Sequence, residues 1–260
     1  MSGLVRYMPQ IPLGEFVDYL YVDPGADSRL SLKESLRPTH PVLTINTQMT
    51  QDFLQQGQLK GVFTQALPKN SAATFRHALG IRFKPYGLYT GFGIHGDAVA
   101  NRIIPASTVF SEVDMQNVAE IWRDSDQQTA ITYLHQVLYN KLKPRELLYE
   151  IVDMLDALVA ADLSKNSQRE LAQAFERSPK SFIEIFNKAI GITPLSYLHI
   201  HKIGAAQRIL RDQPAIPLTE VAYALGFYDQ AHFIRVFKKH TAATPFQYKT
   251  ALASAGSSAG

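Results

Sequence analysis

The 260-residue chain contains no cysteine. That excludes a disulfide scaffold, a thiolate zinc site, an iron–sulfur cluster and a cysteine nucleophile. It also lacks any run near the roughly 18 uninterrupted apolar residues that a membrane span needs. The stretch Met1–Gln10 lacks the basic start and apolar core of a signal peptide. Charged residues make up 19 % and hydrophobic residues 46 %, an ordinary globular balance that excludes a disordered or fibrous chain. A soluble cytoplasmic protein of one large or two small domains, with no membrane partner, is the expectation.

Positive charge is unevenly placed. The net charge is +3, but residues 1–160 carry 14 Lys+Arg against 16 Asp+Glu, and residues 161–260 carry 12 against 7. A basic C-terminal part behind a near-neutral N-terminal part suits a polyanion-binding module joined to something else.

Residues 1–115 read as β-rich, with short β-branched and aromatic runs between turn-forming clusters. The strands expected are Gly3–Tyr7, Pro41–Thr47, Gly61–Ala66 and Gly80–Lys84. Breaks are expected at Asp23–Gly25, Pro68–Asn70, Lys84–Gly87 and Gly91–Gly96. Leu13–Tyr21 reads as a short helix, because Leu13, Phe16, Val17 and Leu20 fall on one helical face. From about Asp114 the spacing turns helical. Val118, Ile121 and Trp122 share a face, as do Ile131, Leu134, Val137 and Leu138. Pro144 restarts a helix with Leu147, Leu148, Ile151, Leu155 and Leu158 on one side. Residues 116–163 therefore form a helical connection. Residues 251–260, ending in Ser, Ala and Gly only, read as a disordered tail.

Residues 164–250 contain an internal repeat. At an offset of 51, Phe182-Ile183 matches Phe233-Ile234, Phe186 matches Phe237, Lys188 matches Lys239, Thr193-Pro194 matches Thr244-Pro245, and Tyr197 matches Tyr248. Upstream the offset is 50, and Glu170-Leu171-Ala172 matches Glu220-Val221-Ala222 while Phe175 matches Leu225. The one-residue change falls between two helical segments, where a turn absorbs it.

Each copy reads as two helices joined by a tight turn. In the first, Leu171 and Phe175 share a face, and Ala172 lets the second helix approach. Ser178 caps that second helix, Pro179 takes its first position, and Phe182, Ile185, Phe186 and Ala189 lie on its buried side. Gly191 ends it. In the second copy, Val221, Ala222 and Leu225 play the same parts, Gly226 makes the turn, and Asp229 caps a helix that buries Phe233, Val236 and Phe237. Such a pair is a helix-turn-helix, whose second helix enters the DNA major groove. Between the copies, Leu195–Leu210 reads as one helix about 24 Å long. That length suits two recognition helices held near successive major grooves, which recur every ~34 Å.

Residues Ser167–Lys249 resemble the DNA-binding domain of the AraC/XylS family. The run Ile216-Pro217-Leu218-Thr219-Glu220-Val221-Ala222-Tyr223-Ala224-Leu225-Gly226-Phe227 is the most specific part. It continues with Asp229-Gln230, His232-Phe233, Arg235, Phe237-Lys238-Lys239, Thr244-Pro245 and Tyr248. Gly80–Gly87 and Asn101–Pro105 resemble a less-characterised subgroup of the same regulators. The fold class implied is α+β. A β-rich N-terminal sensory-type domain with trailing helices precedes an all-α domain of two helix-turn-helix units on a long linker helix. The resemblance implies a bacterial sequence-specific transcription factor that is not an enzyme and needs no cofactor. Its implied partners are double-stranded DNA, RNA polymerase, a small-molecule effector and a second copy of the chain.

Carried over position by position, the base-reading candidates are Lys180, Ser181, Ile183 and Glu184 in the first unit and Gln230, Ala231, Ile234 and Arg235 in the second. Arg235 can donate two hydrogen bonds to guanine and Gln230 can pair with adenine. Ser178, Lys188, Asp229, Lys238 and Lys239 are the phosphate candidates. Leu171, Ala172, Phe175, Phe182, Phe186, Val221, Ala222, Leu225, Gly226, Phe233 and Phe237 form the helix-turn-helix core. Glu184 departs from the family's usual basic residue, which weakens the first unit or turns it toward cytosine. Lys202 stands where the linker helix usually has Arg, and Ala242 and Ala243 replace a usual Gly and a larger apolar residue.

Other chemistry is thinly represented. His199 and His201 are two apart on a helix and point to different faces. Gly91–Gly96 fails the dinucleotide pattern and reads as a loop. No metal ligand set stands out among His40, His77 and His95. A cupin-like, metal-dependent N-terminal domain fused to a DNA-binding module remains the alternative. Phe63, Phe75, Phe83, Tyr86, Tyr89 and Phe92 read either as the lining of an apolar pocket or as a small domain's core. The helices around 117–160 read either as a dimer interface or as a cover for the sheet.

Overall fold

The computed structural model describes residues 5–23, 39–46, 57–66, 78–124, 126–144, 148–160, 172–173 and 175–257. They fall into two units. The first comprises Met1–Phe63, Pro68–Ile151 and Phe186–Gly191, and the second Thr64–Leu67, Val152–Ile185 and Ile192–Gly260.

The first unit is built on a six-stranded sheet. Its strands are β1 (Val5–Tyr7), β2 (Val17–Asp23), β3 (Val42–Asn46), β4 (Gln58–Lys60), β5 (Ala78–Phe83) and β6 (Ile103–Pro105), in the order β1-β2-β5-β3-β4-β6. Every neighbouring pair is antiparallel. The sheet is open, because among the described residues no pairing joins β1 to β6. Period-2 alternation sends Leu20, Val22, Leu43, Ile45, Leu59, Leu79 and Ile81 to one face.

Two helices seal that face. The helix α3 (Glu112–Asp124) follows two short helices, α1 (Gly87–Phe92) and α2 (Gly96–Val99), and leads to α4 (Gln127–Lys141). Val118 of α3 and Ile131, Leu134, Val137 and Leu138 of α4 belong to the sheet's core. Of the two roles left open for these helices, the apolar faces of α3 and α4 take the cover. Asp126 caps α4, its Oδ1 accepting from Thr129 N–H at 2.8 Å. Lys141 Nζ lies 2.8 Å from Asp114 Oδ2, tying the end of α4 to the start of α3. The next helix, α5 (Leu148–Ala160), buries Ile151, Met154, Leu155 and Leu158.

Several expectations need correction. Leu13–Tyr21 is not a helix. A single 3-10 turn at Leu13–Glu15 leads into β2. The strand is buried on both faces, so helical spacing of apolar residues arose simply because nearly every position is apolar. Gly61–Ala66 is not a strand either. β4 ends at Lys60 where its partners end, opposite Val42 and Ile103, and Ala66 N–H donates to Lys239 O at 3.0 Å. The loop read over Gly91–Gly96 shrinks to Gly93–His95, with Gly93 closing α1 in the left-handed region at φ 72°. Phe83 is core, stacked edge-to-face on Phe92 at 5.6 Å, and Tyr86 and Tyr89 are buried. Phe83 and Phe92 thus take the core role of the two read for these rings. Phe75 and His77 lie outside the described residues, as do Gly3, Leu147 and Pro68–Asn70.

The second unit is helical, and α6 (Pro179–Ile190) falls in it up to Ile185. It contains α7 (Pro194–Asp212), α8 (Leu218–Ala224), α9 (Gln230–Thr241) and α10 (Pro245–Ser257). The tail read as disordered is helical through Ser257. The reason is local. Thr244 Oγ1 accepts from Gln247 N–H at 3.2 Å and Gln247 Oε1 accepts from Thr244 N–H at 2.8 Å. This reciprocal cap starts a helix rich in Ala, the best helix former.

Candidate nucleic-acid interface

The repeat in the sequence is a repeat in backbone geometry. Outside glycine, only Asn101, Glu176 and Ala242 adopt positive φ among the described residues. Two of these are turn positions of the repeat. Glu176 (φ 50°) stands where the second copy has Gly226 (φ 63°), and Ala242 (φ 61°) where the first has Gly191 (φ 89°). The turns share their hydrogen bonds. Glu176 N–H donates to Gln173 O at 3.1 Å and Arg177 N–H to Ala172 O at 3.3 Å. In the second copy, Gly226 N–H donates to Tyr223 O at 3.0 Å and Phe227 N–H to Ala222 O at 2.9 Å. This is the paired 5→2 and 6→1 pattern of a left-handed helix stop. The second turn holds one more residue before its cap, which accounts for the change of offset.

The caps also match. Ser178 Oγ accepts from Ser181 N–H at 3.2 Å at the start of α6, and Asp229 Oδ1 accepts from His232 N–H at 2.6 Å at the start of α9. Both were phosphate candidates, and their side-chain oxygens are occupied with capping instead. Asp229 in addition carries the wrong charge to approach a phosphate.

The core of the second copy is complete. Val221, Ala222, Leu225, Phe233 and Phe237 are buried together with Ile203, Ala206 and Leu210 of α7. Ala222 has no exposed surface, as expected of a small residue at a helix crossing. In the first copy Ala172, Phe182 and Phe186 are buried. Phe175 is only half-buried and stacks on Phe182 at 6.0 Å. Leu171 lies outside the described residues.

On α9, Ala231, Arg235 and Lys238 are exposed and Gln230 is half-exposed, opposite the Phe233–Phe237 side. Arg235 and Lys238 make no hydrogen bond or ion pair among the described residues. Ile234 is half-buried and packs on the core, so only part of it faces outward. On α6, Lys180, Glu184 and Lys188 are exposed, while Ser181 and Ile183 are half-buried. Lys239 is exposed at the end of α9.

Sequence reasoning missed a cluster behind the second turn. Lys202 is 5 % exposed, and its ammonium donates to Gly226 O at 3.2 Å beside the Phe227 ring at 5.4 Å. It bolts the linker helix to the turn. The only sequence signal was its place in the linker helix. An open cleft of about 490 Å³ adjoins it, lined among others by Leu195, His199, Tyr223, Tyr228 and His232. Burial, with His232, Lys202 and Lys239 nearby, pushes His199 down to about 4. Burial, with Lys239 and His199 adding to it, lowers His240 to about 4. His201 turns the other way, onto Tyr197 at 4.7 Å.

Among the described residues no three His, Asp or Glu side chains converge as a metal site. Together with the open sheet, this leaves the cupin-like alternative without support.

Known proteins resemble the same stretch. The helix-turn-helix domain family matches residues 171–251. An uncharacterised HTH-type transcriptional regulator of Escherichia coli K12, YijO, is 32 % identical over 105 residues, covering 40 % of this chain and 36 % of that protein. The arabinose operon regulatory protein of the same strain is 34 % identical over 79 residues, covering 30 % of this chain and 27 % of that protein. The chain thus spans about a third of the length of these relatives. A solved AraC-type transcriptional regulator from Chromobacterium violaceum aligns at 19 % identity and a TM-score of 0.37, over 40 % of this chain and 93 % of that one. What this chain shares with these regulators is the helix-turn-helix domain of residues 171–251.

Proposed function

We propose that the protein is a sequence-specific DNA-binding transcription regulator. Its two helix-turn-helix units read successive major grooves. The observation carrying this is the duplicated unit, with matched left-handed turns and matched caps, in the basic part of the chain. Arg235 stands exposed, with no hydrogen bond or ion pair among the described residues, on the outward side of the second recognition helix. The linker helix α7, 19 residues long, is about 28 Å from end to end, close to the groove repeat of ~34 Å.

Gln230, Ala231, Ile234 and Arg235 meet base edges, with Lys180, Ser181, Ile183 and Glu184 at the corresponding positions of α6. Lys188, Lys238 and Lys239 meet phosphates. The first unit is the sensory part, binding a small effector. RNA polymerase and a second copy of the chain are further partners, in the cytoplasm.

Genome-wide occupancy of the wild type against Arg235→Ala tests the reading. Discrete promoter peaks that collapse in the variant support it. Equal, featureless occupancy by both proteins would sink it.

A further inference from the structure

The two helix-turn-helix copies differ by one residue at the turn, and their hydrogen bonds show which one. Arg177 and Phe227 make the same bond, N–H to the carbonyl of Ala172 and of Ala222. Ser178 and Asp229 are the matching caps. In the first copy Arg177 is followed directly by its cap. In the second, Tyr228 stands between the two, so Tyr228 is the inserted residue.

The fold asks nothing of this side chain. Phe227 turns into the core and is 5 % exposed. The chain leaves the turn extended, with Asp229 at φ −154° and ψ 173°, and successive residues of extended chain point to opposite sides. Tyr228 is accordingly 88 % exposed, and it makes no hydrogen bond or ring contact among the described residues. It is not the cap, and its backbone is not in the left-handed region. A small polar residue would serve the turn as well.

The position of Tyr228 bears on the DNA surface. It lies one residue before the cap of α9 and two before Gln230, the first residue of that helix. Two residues span at most about 7 Å of chain. Gln230 over a base edge stands in a major groove about 12 Å wide, so the strand bounding the groove is within reach of a side chain anchored that close. Tyr228 also lines the open cleft of about 490 Å³, whose lining includes Lys202 and no carboxylate. The neighbouring Asp229 carboxylate is turned onto His232 N–H at 2.6 Å. An anion is therefore favoured at this edge.

We infer that Tyr228 is a further DNA contact, its hydroxyl donating to a phosphate of the strand that bounds the groove entered by α9. Tyrosine hydroxyls are ordinary donors to phosphate. An uncharged donor fixes position without displacing a counter-ion. The second unit thus has a grip on the backbone for which the first copy has no corresponding residue. The inference rests on the reading of α9 as a recognition helix.

The full chain is titrated by gel shift on a duplex bearing the strongest occupied promoter site and on a shuffled duplex of equal length, each over a salt series. Tyr228→Phe removes only the hydroxyl. It weakens binding to both duplexes about 10-fold. The salt slope stays where it was, unlike the loss of a lysine contact. The melting temperature equals that of the wild type, since the side chain packs on nothing. Methylphosphonate linkages, which remove the charge of one phosphate at a time, are then moved along the promoter duplex. At one linkage the wild type is weakened about 10-fold and Tyr228→Phe is not weakened further.

Equal binding by wild type and Tyr228→Phe on both duplexes overturns the inference. So does a loss confined to the promoter duplex, which marks a base contact, or a scan in which no linkage distinguishes the two proteins. A wild type that prefers neither duplex fells the sequence-specific reading, and the comparison on the shuffled duplex still decides the phosphate contact. Promoter preference at unchanged affinity in the variant does the reverse.

Discussion

Arg235 illustrates how little a recognition residue needs from its own protein. It is exposed and makes no hydrogen bond or ion pair among the described residues, so its five donors are available at the surface of α9. Loss of a bidentate contact to guanine costs about 1–3 kcal/mol, or about 5- to 150-fold in affinity. Arg235→Ala is therefore expected to weaken a cognate site by that factor while leaving the melting point unchanged. A gel-shift titration on the strongest promoter site checks it. Lys238→Ala should behave differently, weakening all sequences alike and lowering the salt slope of binding by about one. Lys202 is the opposite kind of residue. Its ammonium is enclosed and holds Gly226 O at 3.2 Å. Lys202→Met leaves that carbonyl without its donor at the hinge of the second turn. A loss of about 1–3 kcal/mol is expected, read as a lower urea midpoint.

Elements show where the sequence was legible. The helix-turn-helix pair was readable because its signals are local and duplicated. A capping side chain, a left-handed turn and apolar residues at i, i+3, i+4 each act within a few residues, and the copies checked one another. The expected caps at Ser178 and Asp229 and the turn at Gly226 are where the structure puts them. β2 was misread because burial on both faces of a central strand erases the period of 2. The extent of β4 is set by where β3 and β6 stop, which no residue of β4 encodes. The pairing of Arg82 with Tyr19 and Asp18 could not be seen in advance, because these residues meet only through strand register.

The linker helix offers a test at this same scale. Gly204 lies inside α7, and a Cβ there meets nothing within 4 Å. Gly204→Ala should remove backbone entropy from the unfolded chain and stabilise the helix by about 1 kcal/mol. A rise of about 2–4 °C in melting temperature is the expected readout. A fall would mean that the linker must bend at this glycine.

At the scale of the whole molecule, acid should act on the second unit through two histidines. His199 and His240 have folded pKa values of about 4, below the ordinary 6.5. Burial is the larger cause for both, with the neighbouring cations adding to it. The sign follows from proton uptake. Above pH 6.5 neither state is protonated and the histidines contribute nothing. Between 6.5 and 4 the unfolded chain binds protons that the folded one refuses, so stability falls as pH falls. Below about 4 both states are protonated and the loss levels off. The melting temperature of the helical unit should therefore drop between pH 7 and pH 5, with no matching plateau until near pH 4. The double variant His199→Gln, His240→Gln should flatten this drop while leaving the curve above pH 7 in place. A drop of equal size in the double variant would assign the acid sensitivity to other groups. The cluster that joins the linker helix to the second recognition helix would then be a packing feature with no pH dependence of its own.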